Sequence, residues 1–249
     1  MAPHIVVGVV AVTLLASFVK GAVGFGMPML MISGLASLLP PQEALAALIL
    51  PTVVTNLFQA LRDGPGPAWR VVRDWWRLIV TICVFIAISS QLVTLIPERA
   101  LLLALGVPIV GYALMELTGR RLTFHPRHRA PAEVVAGAVG GFYGGLSGVW
   151  GPPTIALLLS LGVEKRENVR VQGVVYLIGA VMLLAGHLHS GVLNARTLPL
   201  SAALVIPALA GMWLGFRLHD RFDAVRFRRW TLVVLVLAAL NLMRQALSL

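Results

Sequence analysis

The sequence predicts an all-α polytopic membrane protein made of two inverted-topology repeats, each a glycine-broken helical hairpin or re-entrant segment plus three transmembrane helices. Three observations carry this reading. The 249 residues are 58% hydrophobic and only 12% charged, with apolar runs near bilayer length. Two runs are interrupted in the same way, by "SFVKGAVGFGMPML" at 17–30 and "GFYGGLSGVWGPP" at 141–153. The basic residues, finally, gather in a few short segments between runs. A soluble domain of this size would need far more polar surface.

Taken in order, the apolar segments run over about 5–20, 27–39, 43–61, 76–96 and 99–117, then 133–147, 152–162, 170–189, 198–216 and 230–248. The first shows no basic region followed by a small-residue cleavage site and is expected to be a retained helix. Segments 27–39 and 152–162 are too short to cross roughly 30 Å of hydrocarbon as untilted helices. Both directly follow a glycine-rich break. Setting Phe18 against Phe142 aligns Gly21 with Gly145, Gly24 with Gly148 and Pro28 with Pro152 at one constant offset. Residues 1–124 and 125–249 are therefore expected to be the two repeats of a single integral membrane domain.

Charge sets the expected orientation, because loops rich in Lys and Arg stay cytoplasmic. The basic segments are Arg62, Arg70, Arg73 and Arg77; Arg120, Arg121, Arg127 and Arg129; Lys165, Arg166 and Arg170; and Arg217, Arg221, Arg226, Arg228 and Arg229. Outside them stand only Lys20, Arg99, Arg196 and Arg244. If each broken segment crossed once, the last basic loop would lie outside. If each enters and returns, all four segments lie inside and each half contributes three further crossings. An odd number of crossings inserts the second half upside down, an architecture common among secondary transporters. The net charge of +10 is thus an orientation signal and not a nucleic-acid footprint.

Irregular backbone at membrane depth survives only where protein buries it or where it lines a cavity. Corresponding breaks in two repeats therefore point to a binding site, and half-helix N-termini beside them suit an anion. The expected substrate-binding residues are Lys20, Gly21, Gly24, Gly26 and Pro28 at the first break and Gly145, Ser147, Gly148, Gly151 and Pro152 at the second. Thr55 and Asn56 on the helix after the first break, and Arg170 and Gln172 on the helix after the second, are added as path-lining groups. Lys20 is the only charged residue before Glu43, and an ammonium inside an apolar run is a functional candidate by default. Plainer readings stand beside these: glycines that only permit close helix packing, a lysine that snorkels to an interface, and an arginine that only votes for orientation.

The stretches "GAVGFGMPML" and "PPQEALAALILPTVVTN", with "GGLSGVWGPPTIALLL" and "EKRENVRVQGVVYLIGAV", together resemble the TauE/SafE family of sulfite and organosulfur anion exporters. The resemblance spans almost the whole chain. It implies a multi-pass permease of the bacterial inner membrane that moves sulfite, sulfoacetate or a related small anion. Two departures are visible. Phe25 and Trp150 stand inside breaks that are less glycine-dense than the family's, and a lysine stands at the first.

The expected function is a secondary transporter working by alternating access, not an enzyme, with no cofactor and no metal site. Its partners are a small anion and the lipid bilayer, without nucleic acid; a homodimer is left open. Two alternatives remain: a passive anion channel, and a rhomboid-like intramembrane serine protease. The second rests on "GLSG" at 145–148 with Ser147 as nucleophile and His187 as base. Glu43, Glu116 and Glu133 fall at segment ends, so proton coupling through an acidic residue has weak support and uniport is equally open. The single cysteine, Cys83, excludes an intrachain disulfide.

Overall fold

A computed structural model describes residues 2–119, 128–218 and 224–248. In the first half the helices are α1 (Pro3–Val23), α2 (Met27–Leu35), α3 (Pro41–Ala60), α4 (Pro65–Asp74), α5 (Trp76–Leu92) and α6 (Glu98–Leu117). The second half supplies α7 (Arg129–Ser147), α8 (Gly151–Ser160), α9 (Lys165–His189), α10 (Leu198–Ala203), α11 (Val205–Leu218) and α12 (Ala224–Ser248). Proline in the first turn of α1, α2, α3 and α8 starts those helices where the missing N–H costs nothing. Among the described residues, six stretches are long and apolar enough to cross a bilayer: Pro3–Ala22, Pro41–Ala60, Glu98–Leu117, Arg166–His189, Leu198–Leu218 and Arg229–Ser248. The apolar helix α5 is shorter, at 17 residues.

The two breaks are built alike. α1 stops at Gly24 (φ 85°), whose N–H donates to Lys20 O at 2.7 Å; α7 stops at Gly148 (φ 74°), whose N–H donates to Gly144 O at 2.7 Å. A left-handed residue ends a helix by turning the chain away, and glycine adopts that conformation without steric cost. Three residues later α2 and α8 begin, and neither N-terminus is capped by a side chain. Each hairpin thus leaves a half-helix N-terminus inside the protein.

Two features differ from the sequence expectation. The basic stretch after Arg62 contains a helix, α4, which buries Val71 and exposes Trp69. The segment at 198–216 is divided at Leu204 into α10 and α11. α10 also bridges a gap in α3. Pro51 inside α3 removes the N–H that would bond Ala47 O, and Ser201 of α10 donates to that carbonyl at 3.3 Å while accepting the Leu50 N–H at 3.1 Å.

The halves exchange partners. α1 packs along α11 and α5 along α7, while α6 pairs with α12 and α3 with α9. Small residues bring these pairs close. A side chain at Gly21 would overlap the Met212 carbonyl oxygen of α11, and one at Gly145 would overlap Ser89 Oγ of α5. The interior is filled by Met27, Met31 and Ile32 of α2, Leu45 and Leu48 of α3, Leu105 of α6 and Leu157 of α8, all buried. Val7, Leu15, Ile88, Ile206 and Leu237 are exposed, as expected of faces whose solvent is lipid.

The described basic segments meet one another. Asp63, just beyond α3, accepts from Arg170 Nη2 at 2.8 Å and lies 3.9 Å from Arg166. Arg129 Nη2 donates to Asp74 O at 3.0 Å and its guanidinium sits 4.5 Å from the Trp75 ring centroid. Arg62 stacks over Phe216 at the end of α11, 5.5 Å from the centroid. Arg120, Arg121, Arg127 and Arg221 lie outside the described residues.

Candidate functional site

The breaks converge on one cavity of about 30 Å³, room for the centres of one or two waters. From the first break come Phe25, Gly26, Pro28 and Met29; from the second, Gly148, Val149, Trp150 and Gly151. Lys20 of α1, Asn56 of α3 and Tyr176 of α9 complete the wall. The cavity therefore lies where the N-termini of α2 and α8 meet the broken ends of α1 and α7.

Lys20 is 3% exposed and does not snorkel. Its ammonium donates to Thr55 Oγ1 at 3.0 Å and to Asn56 Oδ1. Both acceptors are neutral, and among the described residues no carboxylate lines the cavity. Asn56 is held in turn by donating from Nδ2 to Tyr176 O at 3.1 Å, which ties the lysine of the first half to α9 of the second. Thr55 is oriented by donating to Pro51 O at 2.7 Å. A buried ammonium bonded only to neutral oxygens is an electrostatic opportunity for an anion, because opposite charge is the compensation the site lacks.

The other expected site residues divide. Lys20, Gly26, Pro28, Asn56, Gly148 and Gly151 line the cavity, and Thr55 stands directly behind Lys20. Gly24 forms the bend, and its carbonyl accepts from Gln59 Nε2 at 3.3 Å. Gly21 and Gly145 face neighbouring helices instead, which is the packing role described above. Pro152 lines a separate apolar crevice with Phe85, Tyr112 and Phe142. Gln172 bonds Asn168 one turn earlier on α9.

Arg170 belongs to a second, charged cavity of about 470 Å³ with Arg62, Arg166, Asp63, Glu164 and Gln59. The Arg170 guanidinium beside Asp63 holds that carboxyl below its usual range, through a hydrogen bond first and charge second. Gln59 lines this cavity and also bonds the first break, so the two cavities are one side chain apart.

Ser147 and His187 are engaged elsewhere. The Ser147 hydroxyl donates to Tyr143 O at 2.7 Å and accepts the Val149 N–H at 3.1 Å, which braces the second break. His187 Nε2 donates to Gly145 O at 2.9 Å, and its Nδ1 faces Ser190 Oγ at 3.2 Å. The serine is a structural brace and the histidine a helix–helix tie. The nucleophile–base bond required by the protease reading is not formed.

Sequence reasoning passed over Met29, Val149 and Tyr176 as lining residues, and singled out Phe25 and Trp150 only as bulky intrusions. Tyr176 carries a weak signal, being one of three tyrosines in the chain, but its rotation toward the cavity depends on how α9 packs. The ring of Trp150 meets that of Tyr176 edge-on, with centroids 6.3 Å apart and planes at 72°.

Residues 9–242 match the family described as sulfite exporter TauE/SafE. The chain belongs to the TauE/SafE family. It is accordingly a multi-pass membrane permease of the sulfite and anion exporter kind, and the six apolar stretches of bilayer length among its described residues accord with that membership. Comparisons with curated proteins and with solved structures give no match.

Proposed function

We propose that this TauE/SafE permease carries a small anion, sulfite, sulfoacetate or a related organosulfur anion, across the bacterial inner membrane by alternating access around the cavity between the breaks. One observation carries the reading: a buried lysine without a carboxylate partner stands where two uncapped half-helix N-termini meet. Ammonium and helix ends all favour negative charge, and the low-dielectric surroundings strengthen their hold on it.

The arrangement of the chain around the site supports two inverted repeats, residues 1–124 and 125–249, within one domain. Exchange of partners, α1 with α11 and α5 with α7, is what a two-fold relation between halves would give. The contacts of Asp63 with Arg166 and Arg170, of Arg129 with Asp74 and of Arg62 with Phe216 accord with one cytoplasmic face. On this reading the charged cavity is the cytoplasmic vestibule. An anion entering it passes Gln59 and the Gly24 carbonyl to reach Lys20. Both breaks come from one chain, so the site is complete in a single copy.

The test is flux into proteoliposomes holding the purified protein, with sulfite, sulfoacetate, sulfate and taurine offered separately. Lys20→Gln keeps hydrogen-bonding capacity and removes the charge. A hydrogen bond to a charged group is worth about 1.5–3 kcal/mol, so anion affinity should fall roughly tenfold to a hundredfold while the protein stays folded. Unchanged affinity in Lys20→Gln would remove the central claim. A saturable flux that shows counterflow distinguishes a carrier from a channel.

A further inference from the structure

We infer that the central site is built for one negative charge, so that the transported species is a small monoanion, and that Trp150 enforces this by filling the place where the repeat would put a second cation. The inference rests on the anion reading of the cavity and narrows it: sulfoacetate, a dianion at neutral pH, falls outside it, and sulfite is carried as hydrogensulfite.

The offset that pairs Gly24 with Gly148 also pairs the starts of α2 and α8, Met27 with Gly151, and of α3 and α9, Pro41 with Lys165. In that register Lys20 corresponds to Gly144, Thr55 to Gly179, and Gly26 to Trp150. In the first half the ammonium of residue 20 reaches residue 55, and the break position, Gly26, has no side chain. The second half inverts this. A Cβ at Gly144 would lie 2.8 Å from Trp150 Cε3, and one at Gly179 would lie 3.1 Å from Trp150 Cε2. The indole therefore occupies the space between positions 144 and 179 that corresponds to the space between Lys20 and Thr55. Glycine at both positions is what admits it.

The consequence is electrostatic. Among the lining residues Lys20 is the one formal charge, and Phe25, Met29, Val149 and Trp150 make much of the remaining wall apolar. A monoanion leaves the occupied site neutral. A dianion leaves one charge buried without a counter-charge, and burial of an unpaired charge is strongly unfavourable. The indole also offers an apolar flank to a group such as a methyl attached to the anionic head.

Methanesulfonate and sulfate make the test, because both are tetrahedral and differ by replacement of one anionic oxygen with methyl. Binding to purified protein is measured by calorimetry, with uptake into proteoliposomes as a second readout. Methanesulfonate is expected to bind about tenfold or more tightly than sulfate at neutral pH. Trp150→Lys should narrow or reverse that ratio by supplying the missing cation, whereas Trp150→Leu should leave the preference for the monoanion in place. Sulfate binding as tightly as methanesulfonate to the unaltered protein overturns the inference and leaves the anion site standing. If neither these nor sulfite binds, the anion reading itself fails, and this inference with it.

Discussion

Glycines that look equivalent in sequence should behave differently when given a methyl group, and the comparison of Gly21→Ala with Gly24→Ala is the sharpest check on the structure. At Gly24 an added Cβ meets nothing within 4 Å, but φ is 85°. The cost is conformational, about 1–2 kcal/mol for an L-residue held in the left-handed region. At Gly21 the backbone is helical and unstrained, but the Cβ would overlap Met212 O and lie 3.0 Å from Gly215 Cα. Carbon atoms settle at about 3.5–4.0 Å, so α1 and α11 must part by roughly 0.5–1 Å along their tightest seam. Neither obstacle is a flexible side chain, and overpacking of this kind costs about 1–3 kcal/mol or more. Gly145→Ala should follow Gly21→Ala, since its Cβ meets Ser89 Oγ and comes within 2.8 Å of Ile86 O. Gly148→Ala should exceed Gly24→Ala, because its Cβ also comes within 2.8 Å of Leu48 Cδ1. Thermal unfolding in detergent, run beside flux, separates the effects. Gly21→Ala and Gly145→Ala should lower the melting temperature most, while Gly24→Ala should lose transport at a smaller stability loss. A Gly21→Ala protein as stable as the unaltered one would show that the α1–α11 packing is wrong.

Further expected outcomes concern the supports of the site. Asn56→Leu removes an acceptor from Lys20 and the donor to Tyr176 O; with buried polar groups left unsatisfied at about 1–3 kcal/mol each, both anion affinity and melting temperature should fall. Ser201→Ala strips the bridge across the Pro51 gap and should cost about 1–3 kcal/mol in unfolding measurements without altering anion preference. Asp63 has its carboxyl pKa lowered by Arg170, so its contribution is present above the ordinary carboxylate value of about 4 and is lost as pH falls through the lowered folded value. Melting temperature followed downward from pH 6 should therefore drop less steeply in Asp63→Asn, and identical profiles would show that the Asp63–Arg170 pair contributes nothing.

What could be read from the chain alone was whatever hydropathy and local backbone chemistry encode. The long spans, the two glycine-rich breaks and the anomaly of Lys20 all follow from apolar run length, the conformational freedom of glycine, and the cost of a charge in an apolar run. Helix α4 was not legible, because ten residues carrying Arg70, Arg73 and Asp74 make no apolar run, and its helicity shows only once Val71 has a surface to pack on. The distinction between Gly21 and Gly24 was equally hidden. Both are glycines of one motif, and only the arrival of α11 makes the first a packing residue. Likewise Ser147 read as a substrate group until the Val149 N–H was placed beside it, and the pairing of Arg170 with Asp63 could not be foreseen. Tertiary structure alone decided that Asn56 joins Lys20 to Tyr176 and that the Trp150 indole lies between Gly144 and Gly179. These outcomes depend on the rotation and separation of helices distant in sequence, set by close packing of whole faces, which no local stretch of residues encodes.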